Sequence, residues 1–410
     1  MRQFVLLFLS SLTLNAHAAP ENWPGWRGPR GDGSSTSTTL PLEWSVPENV
    51  AWKTPIPGAG HSSPVIWENH LFLTSATGKD TARHLFAIDR TSGKILWDQT
   101  VLTSPHERIH HLNSYASSTP VTDGTRVYAT FLDGKNMFVA AYDFSGEKLW
   151  EARPGTFSSM HGYCSSPVLW NGKLIVNGDH DGDGYLVALD ITTGKTIWKT
   201  PRPNNTRSYT PPLLRTIGGR NQLILSGSKC VASYDPDSGA QHWIIDGPTE
   251  QYVASLVYNE AENLLFLTSG FPEHHILAIR PDGSGNVTDT HVAWRTTKHT
   301  SYVPSPLSIG KHFLVVSDGG IASCYTAKTG DRLWYERLPA RHSASPVHAN
   351  GDHAFFLSDR GIMTVLRPGA EFKILAQNKL GEKTNASPAI YGNTLYLRGH
   401  KHLYAITPSH

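Results

Sequence analysis

Residues 87–97 read Ala-Ile-Asp-Arg-Thr-Ser-Gly-Lys-Ile-Leu-Trp, and the phrase keeps returning. It recurs as Ala141-Tyr142-Asp143 ending at Trp150, Ala188-Leu189-Asp190 ending at Trp198, Ser233-Tyr234-Asp235 ending at Trp243, and Cys324-Tyr325-Thr326 ending at Trp334. A second phrase runs in step with it: Ser or Thr, then Pro, then an apolar residue. It stands at Ser63-Pro64-Val65, Thr119-Pro120-Val121, Ser166-Pro167-Val168, Ser305-Pro306-Leu307, Ser345-Pro346-Val347 and Ser387-Pro388-Ala389, with Pro211-Pro212-Leu213 as a variant. Ala254-Ser255-Leu256 fills the one double-length gap, so eight landmarks follow one another at intervals of 40 to 56 residues.

Each unit divides into short strands and tight turns. In the third, residues 167–170, 173–177, 185–190 and 195–199 are apolar or alternating runs, parted by Asn171-Gly172, a Gly/Asp stretch and Thr193-Gly194. Pro at a strand's first position is tolerated because the missing N–H lies at the strand end. Four antiparallel strands per repeat of this length are the signature of a β-propeller blade. No stretch holds a 3.6-residue apolar period, so helices are expected to be rare. The eighth unit stops after three strands, while Val50-Ala51-Trp52-Lys53-Thr54 is an orphan copy of the fourth. A closed ring would let that segment complete the last blade and remove the open edge. The fold expected is all-β, an eight-bladed propeller of four-stranded antiparallel blades, its last blade closed by an N-terminal strand.

The composition agrees. The 410 residues are 39% hydrophobic and 17% charged, with 36 Gly, 27 Pro and 12 Trp. Such a chain has ample apolar surface to bury and few charges to keep it open, which excludes disorder. A formal charge of +2 with no basic run argues against nucleic acid. Residues 1–18 have a short positive start, an apolar stretch and Ala16-His17-Ala18, which marks a signal peptide cleaved near Ala18-Ala19. No apolar run reaches the ~20 residues a membrane span needs. The expected organisation is therefore a signal peptide at 1–18, an extension at 19–49 packing on the propeller, and the propeller at 50–410. The mature protein is expected to be soluble, either periplasmic or secreted. Cys164, Cys230 and Cys324 are far apart and odd in number, so no disulfide framework is expected.

The Ala-x-Asp-x-x-x-Gly-Lys-x-x-Trp phrase resembles the tryptophan-docking motif of the pyrroloquinoline-quinone (PQQ) repeat superfamily, from about residue 50 to the end of the chain. The resemblance implies an eight-bladed propeller. It also implies one of two kinds of activity, since the superfamily holds quinoprotein alcohol dehydrogenases and non-catalytic scaffolds similar to the propeller subunit of the outer-membrane β-barrel assembly machinery. The opening Trp23-Pro24-x-Trp26-Arg27-Gly28-Pro29-x-Gly31-x-Gly33 looks like the segment preceding the propeller in secreted bacterial PQQ-like proteins. It is read here as a clamp whose tryptophans cover the propeller's side.

Just ahead of the landmarks lie His61, Asn113 with Tyr115, His161 with Tyr163, Arg207 with Tyr209, Tyr252, Tyr302, His342 and Asn385. One such group per blade at a fixed offset suggests a ring of hydrogen-bonding and aromatic side chains at one mouth, a binding funnel. The same groups would also serve to hold blades together. Asp179, Asp181 and Asp183, alternate carboxylates followed by Gly184, resemble the start of a calcium loop. The twelfth position, Asp190, falls at the end of an extended strand, too far away to complete it. A quinoprotein dehydrogenase would be expected to carry adjacent cysteines, a calcium site and an Asp base. No two cysteines are adjacent here, and Asp133, Asp318 and Asp359 sit in Gly-containing turns.

The reading is a binding or assembly scaffold without catalytic residues, presenting its loop-rich face to a protein, peptide or carbohydrate and needing no cofactor. Its alternative is a PQQ- and calcium-dependent oxidoreductase. The sequence leaves the oligomeric state open.

Overall fold

A computed structural model describes residues 19–78 and 81–408, and every regular element among them is a strand. The expected signal peptide lies outside the described residues. The strands form eight sheets, each built on four antiparallel strands. Blade 1 is Val65–Trp67, His70–Ala76, Ala82–Asp89 and Ile95–Thr103, and the others repeat this order. Blade 8 closes as anticipated. Val50–Pro55 pairs antiparallel with His402–Ile406, placing Trp52 opposite Ala405 and Lys53 opposite Tyr404.

The two phrases now have physical meanings. The hydroxyl of the Ser/Thr-Pro phrase accepts the backbone N–H of the preceding blade. Ser63 N donates to Thr119 Oγ1 (2.9 Å), Thr119 N to Ser166 Oγ (3.0 Å), Ser255 N to Ser305 Oγ (2.9 Å), Ser305 N to Ser345 Oγ (2.9 Å) and Ser345 N to Ser387 Oγ (2.9 Å). Ser387 N then donates to Ser63 Oγ at 3.1 Å, joining the last blade to the first across 324 residues of sequence. The ring lapses where Pro211 replaces the hydroxyl residue. There Thr210 O takes over, accepting from Ser165 Oγ and Asn177 Nδ2 at 3.0 Å each. Each buried backbone N–H in this wall must find a partner, and a short hydroxyl at that point supplies one.

The tryptophan of one blade docks on the glycine turn of the next. Trp97 meets Gly146, Trp150 meets Gly194, Trp198 meets Gly239 and Trp294 meets Gly330. Each indole also donates to a carbonyl there, as Trp150 does to Ile191 O at 2.9 Å. Full burial of these indoles between blades, which the repeat suggests, holds for Trp150, Trp243 and Trp334. Trp97, Trp198 and Trp294 are half-buried, because the outermost strand leaves part of the ring facing water.

Blade 4 departs from the pattern. Gly285–Asn286, from the connection between the last two strands of blade 5, pairs in parallel with Gln241–Asp246 and adds a fifth strand. This addition accounts for the long interval between Ser255 and Pro306. It also covers Trp243, whose Nε1 turns inward to Gln222 Oε1 (2.9 Å).

The N-terminal extension does not lie along the side. Trp23 bridges to Ile66 in blade 1, Pro24 O accepts Thr122 N of blade 2 (2.8 Å), Trp26 Nε1 donates to Ser255 Oγ of blade 5 (2.8 Å), and Arg27 Nη2 donates to Pro306 O of blade 6 (2.7 Å). Five consecutive residues thus touch blades on opposite sides of the ring, so the segment crosses one end of the central channel. Further on, Ser37 reaches Gly392 O and Leu40 pairs with Asn350, both in turns between first and second strands. The extension plugs the end where those turns lie and leaves the opposite end open. The short innermost strands offer Trp23 an apolar seat across the channel, where it is 1% exposed.

Candidate functional site

The open end carries a cleft of about 850 Å³, within the range of ligand pockets. Its walls are the loops entering blades 1, 2, 7 and 8 and the turns between the middle strands of blades 6, 7 and 8. Three of the eleven expected funnel residues line it: His61, Asn113 and Asn385. His61 stacks on His400 with ring centres 6.3 Å apart. Burial, then the charges of Arg398 and His400, bring its pKa down to about 4, so it is neutral. Asn385 Oδ1 is bonded to His400 Nε2 at 2.7 Å. Asn113 Nδ2 donates to His161 O (2.8 Å), and its Oδ1 accepts Ser114 N and Ser117 Oγ.

The other eight do not face this cleft, and among them Tyr252 is buried with its hydroxyl donating to Gly247 O. Tyr115 stacks on His106 at 3.8 Å under the Arg83 guanidinium. His161 meets His110 edge-on at 5.4 Å. Tyr163 is buried against Phe157 and reaches Thr130 Oγ1. Tyr209 is buried with its hydroxyl on Ser159 Oγ at 2.9 Å, and Tyr302 accepts the amide of Gln251. Arg207 Nη1 binds both oxygens of Asp181, at 2.9 and 3.1 Å. His342 is 2% exposed, and neither ring nitrogen has a hydrogen-bond partner. The fixed offset therefore reports mainly how blades are joined, since a Tyr ring at a blade seam buries apolar area while its hydroxyl finds a polar neighbour.

The 179–183 segment does not assemble a calcium loop. Asp179 is sealed in an ion pair with Arg202 (2.9 Å), both side chains 0% exposed, and Asp181 is taken by Arg207. Among the described residues no three His, Cys, Asp or Glu side chains gather so as to hold a metal ion. The three cysteines are free thiols, and burial pushes Cys164 and Cys324 up to about 12, far from a reactive thiolate. The candidate bases hold turns. Asp318 accepts Tyr302 N and Val303 N, Asp359 accepts Ser343 N and Oγ, and Asp133 takes Ser104 and Arg153. These residues do not fit a calcium-held quinone.

What the sequence did not reveal is the charge of the cleft. Arg337, Arg341, Arg360 and Lys383 line it together with His111 and His400, against one carboxylate, Asp359. All four cations are exposed, and among the described residues none is paired with a carboxylate. Close by, Arg398 is 3% exposed and gives Nη1 to Ser62 O (3.0 Å) and Ser62 Oγ (2.6 Å). It too lacks a carboxylate partner among the described residues, and burial lowers its pKa to about 9.

The hydroxyl ring, the docked indoles and the eight closed blades define an eight-bladed β-propeller. The family described as "Outer membrane protein assembly factor BamB" matches residues 81–256. The chain is 25% identical over 204 residues to the outer membrane protein assembly factor BamB of Escherichia coli (strain K12), covering 47% of this chain and 44% of that protein. It is 21% identical over 354 residues to a polyvinylalcohol dehydrogenase of Sphingopyxis sp. (strain 113P3), covering 78% of this chain and 51% of that one. The chain thus spans about half the length of these relatives. Among solved structures, quinohemoprotein alcohol dehydrogenase from Comamonas testosteroni superposes with a TM-score of 0.68 at 12% identity, covering 94% of this chain and 80% of that one, which is a likeness of fold. This chain is an eight-bladed β-propeller whose sequence resembles that of BamB over part of its length.

Proposed function

We propose that this chain is an exported binding or assembly scaffold without catalytic residues, which presents its open, loop-rich face to a protein partner. The observation that carries this reading is the engagement of Asp133, Asp318 and Asp359 in their own loops, which leaves none of these three candidate carboxylates free to act as a base. Support also comes from the plugged channel, which confines approach to one face, and from the likeness to an assembly factor. No helix of the described residues is long and apolar enough to cross a membrane.

The second reading, a PQQ-dependent oxidoreductase, draws on the polyvinylalcohol dehydrogenase relative and on the cationic cleft, whose charge suits a carboxylated quinone. A photo-crosslinking residue placed at Leu112, on the cleft, and another at Leu149, on an outer strand, separate the two. A discrete protein adduct in the native host's exported fraction from position 112 but not 149 supports the scaffold. Adducts from neither position, together with quinone-dependent alcohol oxidation, overturn it.

A further inference from the structure

Resting on the scaffold reading, we infer that the cleft captures an acidic segment of the partner's polypeptide. The argument begins with charge. The whole chain carries a formal +2, yet four cations face one carboxylate in this single cleft, so the net positive charge of the protein is concentrated at its one open mouth. Elsewhere on this chain some cations pair with carboxylates, as Arg153 does with Asp133 (2.8 Å) and Lys173 with Asp237 (2.9 Å), while others stand apart from one another on separate turns. Here Arg337, Arg341, Arg360 and Lys383 are left without such partners while sharing a concave wall, which focuses the field and favours an anionic ligand. The buried, carboxylate-free Arg398 adds a fixed charge near His61.

The remaining lining selects among anions. No Trp, Tyr or Phe is present in the cleft, so it lacks the flat aromatic platform on which sugars or bases stack. It offers instead Gln377 and Asn385, whose amides match peptide N–H and C=O groups, and the apolar Leu112, Leu338 and Pro339. Arginine forks bind Asp and Glu carboxylates in a bidentate geometry. The complementary ligand is a short extended segment with several acidic side chains.

The test uses a fluorescein-labelled hexaglutamate peptide and the mature chain in anisotropy titrations at two salt concentrations. Saturable binding that weakens with salt is expected. It should fall about tenfold or more in Arg341→Ala/Arg360→Ala/Lys383→Ala but less than about twofold in Lys94→Ala/Lys195→Ala/Lys328→Ala. The second triple variant removes the same charge from turns between third and fourth strands. Equal losses in both variants would reduce the effect to net charge and overturn the inference, as would absence of peptide binding. Tighter binding of an oligogalacturonate or a thymidine oligonucleotide would transfer the cleft to another ligand class. Undiminished crosslinking of the native partner by the first variant would sink the acidic-segment inference while leaving the scaffold intact.

Discussion

Gly93, at φ +73°, packs directly against the indole of Trp52, so that a β-carbon added there would stand 2.6 Å from the ring. The same indole donates from Nε1 to Arg90 O at 2.9 Å, and Thr54 Oγ1 donates to Gly93 O at 2.6 Å. Trp52 belongs to the strand that closes blade 8, and Gly93 to the turn of blade 1. This contact fastens the two ends of the ring. Gly93→Ala meets both a left-handed backbone and a filled site, and should destabilise by about 2–4 kcal/mol. Trp52→Ala should lose about 3–5 kcal/mol. Denaturant unfolding of both single variants and the double variant should show non-additivity, because they disrupt one contact.

The plug supplies a second expectation. From sequence alone, trimming residues 19–40 would be far milder than deleting 19–56, since only the latter removes the closing strand. With Trp23 1% exposed and bridged to Ile66, both deletions should be costly, and Trp23→Ala alone should lose about 3–5 kcal/mol. Melting curves of the two truncations and the point variant decide this. A 19–40 truncation melting at the parental temperature would show that the extension merely rests on the ring.

The repeat was legible because its determinants are local. A Pro at a strand start, a Gly in a turn and a Trp four residues later recur from unit to unit, and closure followed from counting strands. The cleft was not legible in this way. Arg341, Arg360 and Lys383 belong to loops and Arg337 to the end of an outer strand, all outside the repeated phrases, and only the curvature of the ring brings them together. His111 and His400 likewise reach the mouth although no repeated phrase contains them. Conversely, Tyr163 and Tyr209 stand where a funnel residue was expected. Both are turned inward because a phenol at a blade seam gains more by burial than by facing water.

Asp179 and Arg202 carry a third expectation. Asp179→Asn would leave the Arg202 guanidinium buried without its counter-charge and should destabilise by about 3–5 kcal/mol in chemical denaturation. Calcium should leave the melting temperature of the parent chain unchanged. A saturable increase would return residues 179–183 to consideration as a metal site.

A pH dependence follows from His342. Burial, partly offset by the nearby Ala340 backbone, brings its pKa down to about 4, below the unfolded value of 6.5. The unfolded chain therefore binds the extra proton first on acidification. Stability from this residue is complete above pH 6.5 and declines as pH falls from 6.5 towards 4. Melting temperatures across that window should drop less in His342→Leu than in the parent, with the two curves parallel above pH 7.

The most direct test of the scaffold reading is titration of the purified mature chain with PQQ and calcium, followed by dye-linked oxidation of primary alcohols. Asp133, Asp318 and Asp359 hold loops, and among the described residues no cluster suited to a metal is present. The expected result is no micromolar quinone complex stabilised by calcium and no alcohol-dependent dye reduction. Tight quinone binding with turnover would contradict the account and make the open mouth an oxidoreductase site.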